Sequence, residues 1–241
     1  MNDPALSETT LLQLSGLVRS FSGGGTRFTL FVDELVLMAG TQLAVVGPSG
    51  CGKSTLLGLL ALALRPDRGA SMTLDGIDVL DLWQRNRIDA LTRLRAAHIG
   101  FVPQTAALLP FLSLRANIAL PQRLSGRHEP EYLRALADAL EIDHILARRP
   151  AEVSVGQRQR AAVARALAHR PLLLLADEPT AAVHPTQAGA IMALLTGVAA
   201  ELGTALVIAT HDLAAAAAAG CTIAACRPDA DATSSSFAWS G

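Results

Sequence analysis

The sequence predicts an α/β fold with a mainly parallel sheet, and three observations predict it. Residues 43–46, 172–176 and 205–209 are short, wholly apolar runs, the pattern of strands buried on both faces. Helix-length segments at 54–64 and 187–202 alternate with them, which sets strands side by side under helices. The first of these strands runs into a glycine-rich turn that opens directly onto a helix.

The remaining elements follow in order. Residues 28–37 alternate and carry β-branched and aromatic side chains, so an antiparallel β portion is expected near the N-terminus. The helix at 54–64 is expected to stop before Pro66 and Gly69. Residues 72–74 read as a strand closed by the turn pair Asp75-Gly76, and 85–97 as one charged, exposed helix. Residues 99–102 form a further short strand, ended by Pro103. From about 106 to 167, Ala, Leu and Arg recur at helical spacing, which places a helical lobe within the α/β core. One domain is expected over 1–225. Residues 226–241, rich in Ser, Asp and Ala, are expected to be a disordered tail.

Composition narrows the function. The chain has 241 residues, 51% of them apolar, enough for a sizeable core. A net charge of -1 gives no basic field for nucleic acid. Three cysteines without a framework fit a reducing compartment. The polar, acidic first ten residues do not read as a signal peptide, and no run of about 18 apolar residues is present to span a bilayer.

Gly47-Pro48-Ser49-Gly50-Cys51-Gly52-Lys53-Ser54 has the G-x-x-x-x-G-K-[ST] spacing of a phosphate loop, with Thr55 next. Such a loop turns backbone N–H groups inward at a helix N-terminus, where they and the dipole hold phosphate oxygens. Lys53 is the one lysine in the chain, and a compact ammonium suits the β- and γ-phosphates. Ser54 supplies an oxygen for Mg²⁺. A thiol at Cys51, inside the loop, is expected to lie beside the nucleotide and be protected by it. Four leucines at 172–175 lead to Asp177 and Glu178 at the strand's C-terminal end, the edge where open α/β sheets bind ligands. Asp177 suits Mg²⁺ and Glu178 a water attacking the γ-phosphate; alone, the two acids also read as a helix N-terminal cap. Ser154 and Gln157 form an S-x-x-Q capping box, which reads equally as a stabilised helix start or as an anion-facing N-terminus.

In this order, with Gln104 and His211, the pieces resemble the ABC-type ATPases from about residue 11 to 225, within the P-loop NTPase class. The resemblance implies several roles. Ser154, Val155, Gly156 and Gln157, with Val153 ahead of them, match the signature usually written LSGGQ, which binds ATP held by a second subunit. Here Val153 and Val155 replace Leu and the first Gly. Gln104 matches the glutamine that senses Mg²⁺ and the membrane partner, and His211 the histidine that contacts the γ-phosphate. Phe21 falls where the family places an aromatic against adenine. His184 stands where the family's D-loop usually has Asp. The implied cofactors are ATP and Mg²⁺. The implied partners are a second ATPase subunit, in a homodimer or pseudo-dimer, and a separate transmembrane permease-type subunit, which puts the chain on the cytoplasmic face of the inner membrane. Residues 175–180 and the charged helix before Gln104 look like the lipoprotein-release, macrolide-efflux and cell-division members. The rival readings are an ATPase regulating a membrane-anchored enzyme and a hydrolysis-impaired binding module.

Overall fold

The computed structural model describes residues 10–23, 26–181 and 185–240. The N-terminal half carries strands β1 (Thr10–Gly23), β2 (Thr26–Met38) and β3 (Gln42–Val46), then helix α1 (Lys53–Leu60). β4 (Ser71–Leu74) and β5 (Ile77–Asp78) precede α2 (Val79–Gln84), α3 (Ile88–His98) and β6 (Ile99–Val102). The middle of the chain holds α4 (Leu114–Ser125), α5 (Pro130–Ala139) and α6 (Val155–Leu167). β7 (Leu173–Asp177), α7 (Pro185–Leu202), β8 (Ala205–Thr210), α8 (Leu213–Ala218) and β9 (Thr222–Ala225) follow, then β10 (Arg227–Pro228) and β11 (Ser234–Ser240).

The expected α/β architecture is present as two sheets. One is parallel throughout, ordered β6-β7-β8-β3-β9, and every residue of β8 is buried. Leu, Val, Ile and Ala fill these strands because helices cover both faces. The other sheet, β10-β11-β2-β1-β4-β5, is antiparallel except where β11 joins β2. A hydrophobic cluster between the sheets gathers Leu12, Leu14, Leu30, Leu43, Leu56 and Leu173. A second cluster packs the opposite face of the parallel sheet against α4 to α6 through Ile118, Leu136, Val163 and Leu174. Among the described residues no helix is long and apolar enough to cross a membrane.

Four local expectations need correction. β1 has no counterpart in the sequence reading, because its alternation of Leu12, Leu14 and Leu17 is interrupted at Gly16, whose φ is 60°. α1 ends at Leu60 rather than 64, since Leu62 turns left-handed at φ 53° and Gly58 O accepts from the amides of Ala63 and Leu64. The helix expected at 85–97 is α3, which begins only at Ile88 because Asn86 turns left-handed at φ 51°, and α2 before it had no counterpart in the sequence reading.

The fourth correction concerns the tail expected to be disordered, which instead forms β10 and β11. Asp229 closes the turn by accepting hydrogen bonds from the amides and hydroxyls of Thr233 and Ser234. Phe237 is then buried in the first cluster and Trp239 packs on it. Serine-rich composition hides this, because two aromatics two residues apart anchor the strand while the serines serve its backbone pairing with β2. His184 lies outside the described residues.

Candidate nucleotide site

Sheet order explains why distant residues meet. β6, β7, β8 and β3 are parallel neighbours, so their C-terminal ends share one edge. Gln104 follows β6, Asp177 ends β7 with Glu178 next, and His211 follows β8. The loop from Gly47 to Gly52 leaves β3 and enters α1. A cavity of about 520 Å³ opens there. Ser49, Gly50, Gly52, Lys53, Ser54 and Thr55 line it from the loop. Gln104, Glu178, Ala181, His211 and Phe28 close its other sides.

The loop's glycines are structurally required. Gly52 caps α1 in the left-handed region at φ 96°, where a Cβ would also stand 3.0 Å from the Phe28 ring. No side chain caps this helix and no acid occupies its first turn, so its first N–H groups are left for an anion. Gly47 is equally confined, since a Cβ there would stand 2.7 Å from Cys51 Sγ.

The charged groups converge. Lys53 is buried and its Nζ donates to the carbonyls of Gly47 at 2.8 Å and Pro48 at 3.1 Å. The same Nζ lies 3.4 Å from Glu178 Oε1. His211 Nδ1 donates to Glu178 Oε2 at 2.8 Å. Glu178 itself has φ 44°, and its amide donates to Ala209 O on β8. A non-glycine residue in that region is strained, and the β8 contact holds it. Below them Ser54 Oγ donates to Asp177 Oδ1 at 3.0 Å. Burial pushes the Asp177 carboxyl above its ordinary range, and Glu178 adds to this, while Ser54 and Lys53 oppose it. Two oxygen donors at the foot of a phosphate loop, one a carboxylate in want of positive charge, fit a hard divalent cation such as Mg²⁺.

Two expected residues lie elsewhere. The Cys51 side chain is buried beneath the loop, 3% exposed, and turned away from the cavity, which corrects the expectation of a thiol beside the nucleotide. Phe21 does not line the cavity; it sits at the surface with the Arg19 guanidinium 4.8 Å from its ring centroid. Its cross-strand partner Phe28 lines the cavity instead. Alternation on 28–37 marks Phe28 as the start of a strand, but only the pairing of β1 with β2 sets it at the cavity. Ser154 to Gln157, expected to face a nucleotide held by a second subunit, lie outside this chain's own cavity. They form the capping box of α6, with Gln157 N donating to Ser154 Oγ and Ser154 N to Gln157 Oε1. Val155 is exposed there.

A phosphate loop, a strand-end carboxylate pair and a strand-end histidine on one sheet edge define a nucleotide-binding ATPase. The chain belongs to the ABC transporter family, whose sequence profile matches residues 33–181. It is 40% identical over 217 residues to the lipoprotein-releasing system ATP-binding protein LolD 2 of Caulobacter vibrioides, covering 88% of this chain and 90% of the relative. It is 38% identical over 207 residues to LolD of Idiomarina loihiensis, covering 84% and 89%. Among solved structures, the dimeric bacterial ABC transporter cassette MJ0796 superposes with a TM-score of 0.74 at 30% identity, covering 86% of this chain and 91% of that one. CbiO1 of Clostridium perfringens, part of the ABC transporter complex cbiONQ, gives 0.76 at 25% identity, covering 95% and 87%. The chain is therefore an ATP-binding and ATP-hydrolysing cassette.

Proposed function

We propose that this chain pairs with a second cassette around ATP and Mg²⁺ and drives a separate permease-type membrane subunit from the cytoplasmic face of the membrane. The observation that carries the reading is the convergence of Lys53 and His211 on the Glu178 carboxylate. The loop amides and Lys53 bind the phosphates. Ser54 and Asp177 hold Mg²⁺, with Gln104 beside them, and the ion supplies charge neutralisation at the phosphates when bound. Glu178 orients and polarises the attacking water, and His211 holds the carboxylate in place.

Within one chain, Ser154 to Gln157 stand apart from the cavity, and their exposed helix N-terminus suits the phosphate of a nucleotide held by a partner cassette. Phe28 is the aromatic placed to flank the base, with Phe21 beside it on β1. The relatives named for lipoprotein release direct the reading toward extraction or extrusion of a lipid-anchored substrate. A cycle of closure and reopening does such work when the membrane subunit binds the two forms differently.

Affinity capture of tagged chain from detergent-solubilised membranes, with identification of what is retained, tests the partner. Recovery of a permease-type subunit supports the proposal. Recovery only of a membrane protein with no transport cavity favours regulation of a membrane-anchored enzyme.

A further inference from the structure

The chain immediately after β9 runs under the phosphate loop. Cys226 N donates to Val46 O at 2.8 Å, which pins it to the residue before Gly47. Its thiol donates to the carbonyl oxygen of Cys51 at 2.9 Å, out of contact with solvent. The two segments are packed without slack, since a Cβ at Gly47 would stand 2.8 Å from Cys226 O. Nothing in the hydrolysis chemistry described above uses this bond.

The acceptor decides what the bond does. A trans peptide is planar, so the Cys51 carbonyl and the Gly52 N–H point in opposite directions from one rigid plate. Holding the oxygen down on the Cys226 thiol turns the Gly52 N–H up toward the cavity that Gly50, Gly52 and Lys53 line. Gly50 and Gly52, left-handed at φ 82° and 96°, flank Cys51, so the loop's own backbone gives this plate little resistance to rotation.

We infer that Cys226 is a positioning residue for phosphate binding: its thiol fixes the Cys51–Gly52 peptide so that the Gly52 amide aims at the nucleotide's phosphate oxygens. The donor proton is secure, because burial, reinforced by the neighbouring Cys51, pushes the Cys226 thiol up to about 12. The same C-terminal segment continues through β10 into β11, which pairs with β2, the strand that carries Phe28 over Gly52. The loop is thus braced by the C-terminal residues from beneath and, through β2, from the side.

The inference rests on the nucleotide-binding reading, and the test separates the two. Calorimetric titration of the full chain with ADP and Mg²⁺ compares wild type, Cys226→Ala and Cys226→Ser, alongside ATPase kinetics. Wild type failing to bind ADP sinks the nucleotide reading without reference to any variant. Given binding, Cys226→Ala should weaken ADP about two- to tenfold, the range of one lost hydrogen bond. It should raise the KM for ATP by the same factor and leave kcat unchanged, and Cys226→Ser, which keeps a donor, should restore most of the affinity. If Ala leaves too loose a site to fold, Cys226→Val fills the space without a donor and carries the same expectation. Wild-type affinity in the donor-less variant, or equal weakening in Ser and Ala, overturns the inference and leaves Cys226 as packing.

Discussion

His211 Nδ1 lies 2.8 Å from Glu178 Oε2, while Lys53 Nζ approaches the other oxygen of the same carboxylate at 3.4 Å. The carboxylate is therefore held from both sides. On the proposed function, phosphate draws Lys53 away and His211 is the contact that keeps Glu178 aimed. His211→Ala is expected to lower kcat about 100-fold while ADP affinity changes less than threefold. Steady-state ATPase assays beside calorimetry check this. A variant that loses affinity and keeps its turnover would move His211 from the chemistry to binding.

Lys53 has its own expected signature. It is buried, yet its polar contacts are loop carbonyls and Glu178 rather than packing partners. Lys53→Ala should weaken ATP binding by about 100-fold or more and keep a wild-type circular dichroism spectrum. Lys53→Arg should also fail, because a planar guanidinium does not fit a point-charge site ringed by two carbonyls. ATP binding by Lys53→Ala at wild-type affinity contradicts the phosphate-loop assignment.

The cysteines give a test that reverses the sequence-based expectation. Cys51, Cys221 and Cys226 are all buried. A bulky thiol reagent should therefore label Cys51 slowly in the folded protein whether or not ATP is present, and rapidly in urea. Peptide mapping after timed alkylation reads both. Fast labelling that ATP suppresses would restore Cys51 to the nucleotide's side of the loop.

A fourth prediction concerns acid stability. His169 is buried between α6 and β7, and Nε2 meets Ile99 O at 3.1 Å while Nδ1 has no partner. Burial, with smaller contributions from Arg127 and His98, lowers its pKa against the opposing Ile99 contact. The unfolded chain therefore takes up a proton, below about pH 6.5, that the folded chain refuses. Stability from this group is full above that pH and lost as pH falls through it, by up to about 1.4 kcal/mol per pH unit. Urea midpoints between pH 7.5 and 5.5 should decline in wild type and decline less in His169→Gln. Parallel declines in the two proteins would clear His169 of the effect.

The parts of this molecule legible in sequence were those fixed by local chemistry. The loop from Gly47 to Ser54 needs its glycines at specific backbone angles, so its spacing survives as a readable pattern. The parallel strands were legible because burial on both faces leaves an unbroken apolar run. What stayed hidden depended on partners far along the chain. β1 is recognised as a strand only when β2 and β4 lie on either side of it. The C-terminal strand looks disordered until Phe237 has a core to enter. Phe28 and Phe21 are indistinguishable as aromatics, and only their position across β1 and β2 puts one of them at the cavity. The Cys226–Cys51 contact joins residues 175 apart, and nothing local announces it.

On the proposed function, Glu178 drives hydrolysis in a cassette that closes on a second copy around ATP. Glu178→Gln keeps the shape and the His211 contact but removes the charge that polarises water. Light scattering coupled to size-exclusion chromatography, run with saturating ATP and Mg²⁺, measures its mass alongside its ATPase rate. Turnover should fall about 10²–10⁴-fold, and a species of twice the monomer mass should appear that is lost when ADP replaces ATP. A Glu178→Gln protein that stays monomeric in ATP and Mg²⁺ and hydrolyses at the wild-type rate would contradict it.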